Sequence, residues 1–240
     1  MSPVSRETAG VPLRAALDRH GQPAELEQPL ARLLAALLDE PDPHTTVSEP
    51  DAAAEVHVAD SLVALRVPEL RDAESVADVG AGAGFPGLVL AAALPSARVD
   101  LLEASKRKAA LIGRLAQASG IANARAVHAR AEEWAVGDGR EAYDAVTVRA
   151  VGPLAVLVEY AAPLLRVGGV LVAWKGQRDH VEETGGAAAA GQLGFDTPEV
   201  VAVEPYPGSR NRHLHLYRKV SATPERYPRR PGMAAKRPLG

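Results

Sequence analysis

Asp78-Val79-Gly80-Ala81-Gly82-Ala83-Gly84-Phe85-Pro86-Gly87 is the stretch whose residue types and spacing point most directly to chemistry. Glycines at every second position let the backbone turn tightly and lie close to a ligand, because no Cβ stands in the way. An apolar run, Ser75 to Val79, leads in, and an apolar helical pattern, Leu88 to Leu94, leads out. Such a strand–loop–helix turns helix N–H groups toward a bound molecule. Gly82-x-Gly84-x-x-Gly87 also satisfies the dinucleotide fingerprint. A pyrophosphate, however, needs the helix N-terminus without a negative neighbour, and Asp78 would repel it. S-adenosylmethionine carries an ammonium and a sulfonium and no phosphate, so an acid beside the loop suits it. The expectation is a site for that methyl donor, with Asp78, Gly80, Gly82 and Gly84 around it and S-adenosylhomocysteine as the product.

Five further places in the chain could carry function. Glu103 ends the next strand pattern, 19 residues after Gly84; an acid there accepts hydrogen bonds from a ribose diol, or is an exposed strand-end acid. Ser105 and Lys106 open the following helix, with Ser105 a possible N-cap. Ala131-Glu132 follows the third strand, where a backbone N–H could meet an adenine edge; Glu132 equally suits a first-turn acid favoured by the helix dipole. Arg149 ends the fourth strand, placed to hold a donor carboxylate or a nucleic-acid phosphate, or to pair with an acid. His57 and Asp60 share a helix face at i and i+3, with a structural polar pair as the plain alternative. No spacing suits a metal site, and no Gly-x-Ser-x-Gly elbow supports a hydrolase.

The elements that must position these residues alternate. Strand-like runs are Val76–Val79, Arg98–Glu103, Ala124–His128, Ala145–Arg149 and Val170–Trp174. Helical patterns fill the gaps at Leu88–Leu94, Lys106–Ser119, Leu154–Leu165 and about Asp179–Leu193. Val167-Gly168-Gly169 reads as a helix stop before a strand. Two more runs, Val200–Glu204 and His213–Arg218, flank a turn-rich segment and suit an antiparallel hairpin. The fold class is α/β, Rossmann-like, with a seven-stranded mostly parallel sheet and helices on both faces. Ahead of it, helices over Pro23–Leu38 and about Pro50–Leu65 form a helical cap. The expected organisation is a flexible arm over residues 1–22, a cap over 23–70, a methyltransferase core over 71–220 and a basic tail over 221–240.

The chain has 240 residues, 47% of them hydrophobic, and no cysteine. That excludes a disulfide framework and thiolate metal sites. No apolar run approaches the roughly 20 residues of a spanning helix, and the N-terminus lacks a signal-peptide core. The chain reads as cytoplasmic, without a metal or membrane partner, and as a monomer. The net charge of −3 conceals an asymmetry: residues 210–240 hold nine Lys/Arg and one acid. A basic end on an acidic body suggests a polyanion contact, which assigns Arg226, Arg229, Arg230, Lys236 and Arg237 to RNA.

His57-x-x-Asp60-Ser61-Leu62, the loop with its Phe85-Pro86-Gly87 extension, Arg149-Ala150, Lys175-Gly176 and Tyr227-Pro228-Arg229-Arg230-Pro231-Gly232 occur in this order. Together they resemble the RsmG (GidB) family of bacterial 16S ribosomal RNA guanine-N7 methyltransferases, over roughly residues 25–239. The resemblance implies donor contacts from Gly80, Phe85, Ala131, Glu132 and Arg149. It implies a guanine of the decoding region in 16S rRNA, or in the small ribosomal subunit, as the acceptor. The chain has Val56 where the family usually has arginine, Ala81 where it often has serine, and His44-Thr45-Thr46-Val47 in place of an Asn-Leu-Thr-like segment. His57, Asp60, Arg149 and Lys175 would place the base and its phosphates. The alternatives are a donor-dependent methyltransferase acting on a small molecule or protein, an NAD-linked oxidoreductase, and a silent RNA-binding module.

Overall fold

The computed structural model describes residues 10–240. The N-terminal segment forms α1 (Gly10–Arg19), α2 (Glu27–Asp39), α3 (Pro50–Ala53), a π-helical turn (Ala54–Ala59), α4 (Asp60–Leu62), a 3-10 turn (Val63–Arg66) and α5 (Pro68–Arg71). The core follows as β1 (Ser75–Val79), α6 (Gly87–Ala93), β2 (Arg98–Glu103), α7 (Lys106–Ser119), β3 (Ala124–His128), α8 (Ala131–Trp134), β4 (Tyr143–Arg149), α9 (Leu154–Ala161), β5 (Leu165–Lys175), α10 (His180–Gln192), β6 (Glu199–Val203) and β7 (Arg212–Arg218). A last turn of helix, α11 (Met233–Lys236), lies near the C-terminus.

The seven strands form one sheet in the order β3-β2-β1-β4-β5-β7-β6. The first five are parallel, and β7 runs antiparallel to both β5 and β6. Alternate residues of each strand enter opposite layers, as the period of two requires. Val76, Val99, Val170 and Val172 pack with α1, α2, α6 and α7. Ala77, Val146, Val148 and Leu171 pack with α8, α9 and α10. Both faces are therefore covered, which is why the central strands read as nearly continuous apolar runs.

Several sequence expectations change. Residues 1–9 of the expected arm lie outside the described residues. Residues 10–19 are not an arm: Leu13, Ala16 and Leu17 of α1 are fully buried against the cap. Val167-Gly168-Gly169 lies inside β5, because α9 ends at Ala161 and β5 begins at Leu165. Residues 50–66 are helical throughout, yet the run changes pitch to a π turn around His57.

The segment after β7 is fastened to the core. Thr223 and Tyr227 are buried, and Arg140 donates to Tyr227 O at 3.1 Å. Arg229 Nε donates to Glu159 Oε1 at 2.6 Å, and its Nη2 donates to the other carboxylate oxygen. The tail is thus a strap across α8 and α9, and Arg229 is consumed by a carboxylate that is only 2% exposed.

Candidate active site

Strand order reverses between β1 and β4, and in open α/β sheets ligands sit outside the carboxyl ends of the strands at such a point. A cavity of about 650 Å³ lies there. The loop after β1 contributes Gly80, Gly82 and Phe85, β2 contributes Glu103, and the end of β4 contributes Arg149, with Ala150 just beyond it. The cap closes it with His57, Thr45 and Thr46.

Asp78 does not face the cavity. It is buried, its Oδ2 accepts from Gly87 N–H at 2.9 Å, and its Oδ1 accepts from Thr147 Oγ1 at 3.0 Å. The expectation that it sits beside the donor is corrected, because the acid is spent on bracing the loop. Its carboxylate caps the first residue of α6, so the N–H that would meet a phosphate is taken. Gly87 must lack a Cβ to allow this: one would lie 2.7 Å from Asp78 Oδ2 and 2.6 Å from Leu101. Burial pushes the Asp78 carboxyl up to about 6, against the hydrogen bonds from Thr147 and Gly87.

Glu103 stands where the spacing placed it. Its Oε2 accepts from Gly82 N–H at 3.0 Å and its Oε1 from Ser105 N–H at 2.8 Å. Gly82 turns at φ 59° to present that N–H. Two backbone donors fix the carboxylate and leave lone pairs for a diol. Ser105 makes no side-chain cap; its backbone amide is what the site uses.

His57 stacks on Phe85, ring centroids 4.4 Å apart and 17° from parallel. Its Nε2 meets Thr45 Oγ1 at 3.1 Å, and its buried Nδ1 has no partner among the described residues. Burial, with Arg149 adding to it, lowers the His57 pKa to about 4, so the ring is neutral at pH 7. The π turn widens the helix here, and His57 and Asp60 line different volumes: His57 the large cavity, Asp60 a second cleft of about 230 Å³. Arg149 and Ala150 line both.

Arg149 Nη1 donates to Asp60 Oδ2 at 2.8 Å and to Val56 O at 3.1 Å. Trp174 Nε1 donates to Asp60 O at 2.8 Å. Lys175 pairs with Glu182 at 2.5 Å and lines the second cleft. Ala131 and Glu132 line neither volume: they are buried, and Glu132 Oε1 accepts from Gly232 N–H of the strap at 2.8 Å. The tail cations Arg226, Arg230, Lys236 and Arg237 are exposed but line neither volume either.

The structure adds residues to which the sequence assigns no role. Thr45 and Thr46, which in the sequence mark only a departure from the family's segment, come from a connecting loop without periodicity and line the cavity. Lys108 lines the large cavity from the first turn of α7. A signal for it existed, since Lys106-Arg107-Lys108 puts three cations at a helix start with no acid in that turn, against the helix dipole. Arg212 and His213, at the start of β7, line the second cleft.

Solved structures share this fold. The S-adenosylmethionine-dependent methyltransferase SibL aligns over 90% of this chain and 71% of its own, with a TM-score of 0.57 and 17% identity. A SAM-dependent O-methyltransferase from Thermotoga maritima aligns over 80% of this chain and 73% of its own, with a TM-score of 0.55 and 18% identity. Sequence relatives are nearer. The ribosomal RNA small subunit methyltransferase G of Pelotomaculum thermopropionicum is 42% identical over 199 residues, 81% of this chain and 82% of that one. Its namesake from Rubrobacter xylanophilus is 42% identical over 195 residues, 80% of this chain and 75% of that one. Residues 37–212 match the family described as rRNA small subunit methyltransferase G. With most of the chain matched at such identity, this protein belongs to the rRNA small subunit methyltransferase G (GidB) family.

Proposed function

We propose that this protein transfers a methyl group from S-adenosylmethionine to N7 of a guanine in 16S ribosomal RNA. The observation that carries the donor assignment is the Glu103 carboxylate, fixed by Gly82 and Ser105 amides at the edge of a cavity whose helix N-terminus is already capped by Asp78. That arrangement offers a diol acceptor and no phosphate seat. The cavity residues fit the group. Glu103 would hold the ribose hydroxyls, and Arg149, whose Nη1 is engaged but whose Nε and Nη2 make no hydrogen bond among the described residues, would hold the carboxylate. The neutral His57 ring, with its unpartnered Nδ1, adds no cation beside a sulfonium.

When bound, S-adenosylmethionine supplies a methyl group already activated on a positively charged sulfur. Guanine N7 is a lone-pair acceptor, so no side chain has to remove a proton before attack. The chain's contribution is orientation, which supplies about 7–11 kcal/mol where reacting groups are held in line. The His57–Phe85 stack and Trp174 cover the cavity and cleft with apolar surface and keep water from the reacting atoms. Asp60, Arg149 and Lys175 place the base and its phosphates. The reading needs no metal, and it places the enzyme in the cytoplasm as a monomer acting on rRNA or the small subunit. No helix among the described residues is long and apolar enough to cross a membrane.

Incubation with labelled S-adenosylmethionine and 16S rRNA or small subunits from an unmethylated strain, followed by mapping of the modified base, tests the proposal. Label at N7 of a single guanine is expected. Label on protein or on a small molecule, with none on the RNA, would replace it with the other methyltransferase reading.

A further inference from the structure

The second cleft, about 230 Å³, adjoins the large cavity across the end of β4. The two volumes share Arg149 and Ala150. Ala150 sits at φ 59°, a left-handed conformation that is strained for a non-glycine residue. Strain of this kind persists where surrounding structure imposes it, often at a working site. Here it falls on the residue between the two volumes.

The polar groups of the cleft are unevenly committed. Arg149 is paired with Asp60, and Lys175 with Glu182. Arg212 is exposed, and among the described residues its side chain has neither a hydrogen bond nor an ion pair. Asp60 gives only Oδ2 to Arg149, while its Oδ1 accepts nothing among the described residues. Its backbone is pinned by the Trp174 indole. His213 Nδ1 lies 2.8 Å from Gly176 O. A carbonyl only accepts, so Nδ1 donates, which leaves Nε2 as the ring's acceptor nitrogen. Among the described residues the cleft therefore offers two side-chain acceptors and one unpaired cation.

Resting on the methyl-transfer reading above, we propose that this cleft is the acceptor-base pocket, in which Asp60 selects guanine and Arg212 takes a neighbouring phosphate. Guanine presents the N2 amino group and N1–H along one edge, two donors side by side that suit the Asp60 carboxylate oxygen and the His213 imidazole nitrogen in that order. Adenine presents C2–H and an unprotonated N1 there, and so offers a donor to neither acceptor. Reading that edge leaves the opposite edge, which carries N7, free to face the donor cavity across Ala150. Arg212 suits a phosphate because its planar fork binds such oxygens in pairs. Being unpaired, it gives up no internal partner to do so.

The test replaces the mapped guanosine by inosine, which keeps N7, O6 and N1–H and lacks only the N2 amino group. Wild-type protein should methylate the inosine RNA with kcat/KM lower by about 10- to 100-fold, the loss of a hydrogen bond to a charged group. Asp60→Asn should be slow on guanosine RNA and largely indifferent to the inosine change. Arg212→Ala should bind S-adenosylmethionine with unchanged affinity, bind RNA more weakly, and lower the salt slope by about one. An inosine RNA methylated as well as the guanosine RNA by wild type overturns the Asp60 assignment, and that arm stands even if Asp60→Asn fails to fold. An unchanged salt slope in Arg212→Ala overturns the phosphate assignment. A wild-type protein that binds no donor and methylates no guanosine RNA instead removes the reading on which both rest.

Discussion

Replacing Asp78 by asparagine separates the two things this buried acid does: it braces the loop, and it resists ionisation. Asparagine keeps the brace. Its Oδ1 can accept from Gly87 N–H, and its Nδ2 can donate to Thr147 Oγ1, since a hydroxyl accepts as well as donates. The charge is what changes. Burial moves the Asp78 carboxyl from 3.8 up to about 6 in the folded chain. Between those values the folded form keeps a proton that the unfolded chain has released, so stability falls as pH rises through the window. The full cost, present above pH 6, is about 3 kcal/mol at about 1.4 kcal/mol per pKa unit. His57 slopes the other way. Burial holds it near 4 instead of 6.5, so the unfolded chain takes up a proton first, and stability is lost as pH falls through that window. That loss is also about 3 kcal/mol.

In the wild type the two slopes oppose each other between pH 4 and 6, and their combined contribution is nearly flat. In Asp78→Asn only the His57 slope is left. Urea unfolding across that range should show the variant level with wild type near pH 4 and ahead by about 3 kcal/mol at pH 7. Every other titrating group is common to both proteins and cancels in the difference. A variant less stable than wild type by the same amount at every pH would refute the argument. That result would mean that the hydrogen bonds from Gly87 and Thr147 outweigh desolvation and that Asp78 is ionised throughout.

Other substitutions divide the site by role. Glu103→Gln should weaken S-adenosylmethionine binding by about 10- to 100-fold in calorimetry, since the carboxamide cannot accept from both Gly82 and Ser105 while serving a diol; unchanged affinity would remove it from the site. Gly82→Val should also abolish donor binding: a Cβ there would meet only Gly80 O at 3.9 Å, an ordinary contact, so the damage comes from φ 59° forced on a β-branched residue, and retained binding would show that the turn tolerates it. Arg229→Ala should cost about 3–5 kcal/mol in urea unfolding, because it strands the buried Glu159 carboxylate. The same variant, studied where it is folded, should leave the salt slope of RNA binding unchanged; a shallower slope would restore Arg229 to the RNA face.

The sequence carried the sheet further than the site. Each core strand is an apolar, β-branched run set off by a loop and a helical pattern, so strand positions and the terminal hairpin are local properties of the chain. Short elements were not legible. α8 has four residues and α5 has four, too few for a period to show. The π turn at His57 was hidden as well, since its apolar spacing differs little from that of an α-helix over six residues. The tail hides its role for a different reason. Arg229 looks like a solvent cation because its partner, Glu159, lies 70 positions away, and long-range pairing leaves no trace in composition. Asp78 stands out in the sequence, but its neighbours do not. The sequence shows that an acid precedes the glycines, whereas only the strand's pleat decides that it points inward to Thr147 and Gly87.

What links these corrections is that the charged groups around the site act on backbone more than on solvent. Asp78 holds the first amide of α6, Glu103 holds the amides of Gly82 and Ser105, Arg149 holds Val56 O, and Trp174 holds Asp60 O. The Arg149 and Trp174 bonds join the ends of β4 and β5 to the cap, and the Asp78 and Glu103 bonds tie the ends of β1 and β2 to the glycine loop, the start of α6 and the turn before α7. A reaction that needs no proton transfer gains little from a perfectly tuned acid or base and much from groups that do not move. A bidentate brace to backbone supplies that rigidity, because losing it shifts a whole segment and not one contact. Mutations in these braces should therefore lower kcat through misalignment even where the altered side chain touches neither substrate, whereas loss of Arg212, which braces nothing, should act on RNA binding alone.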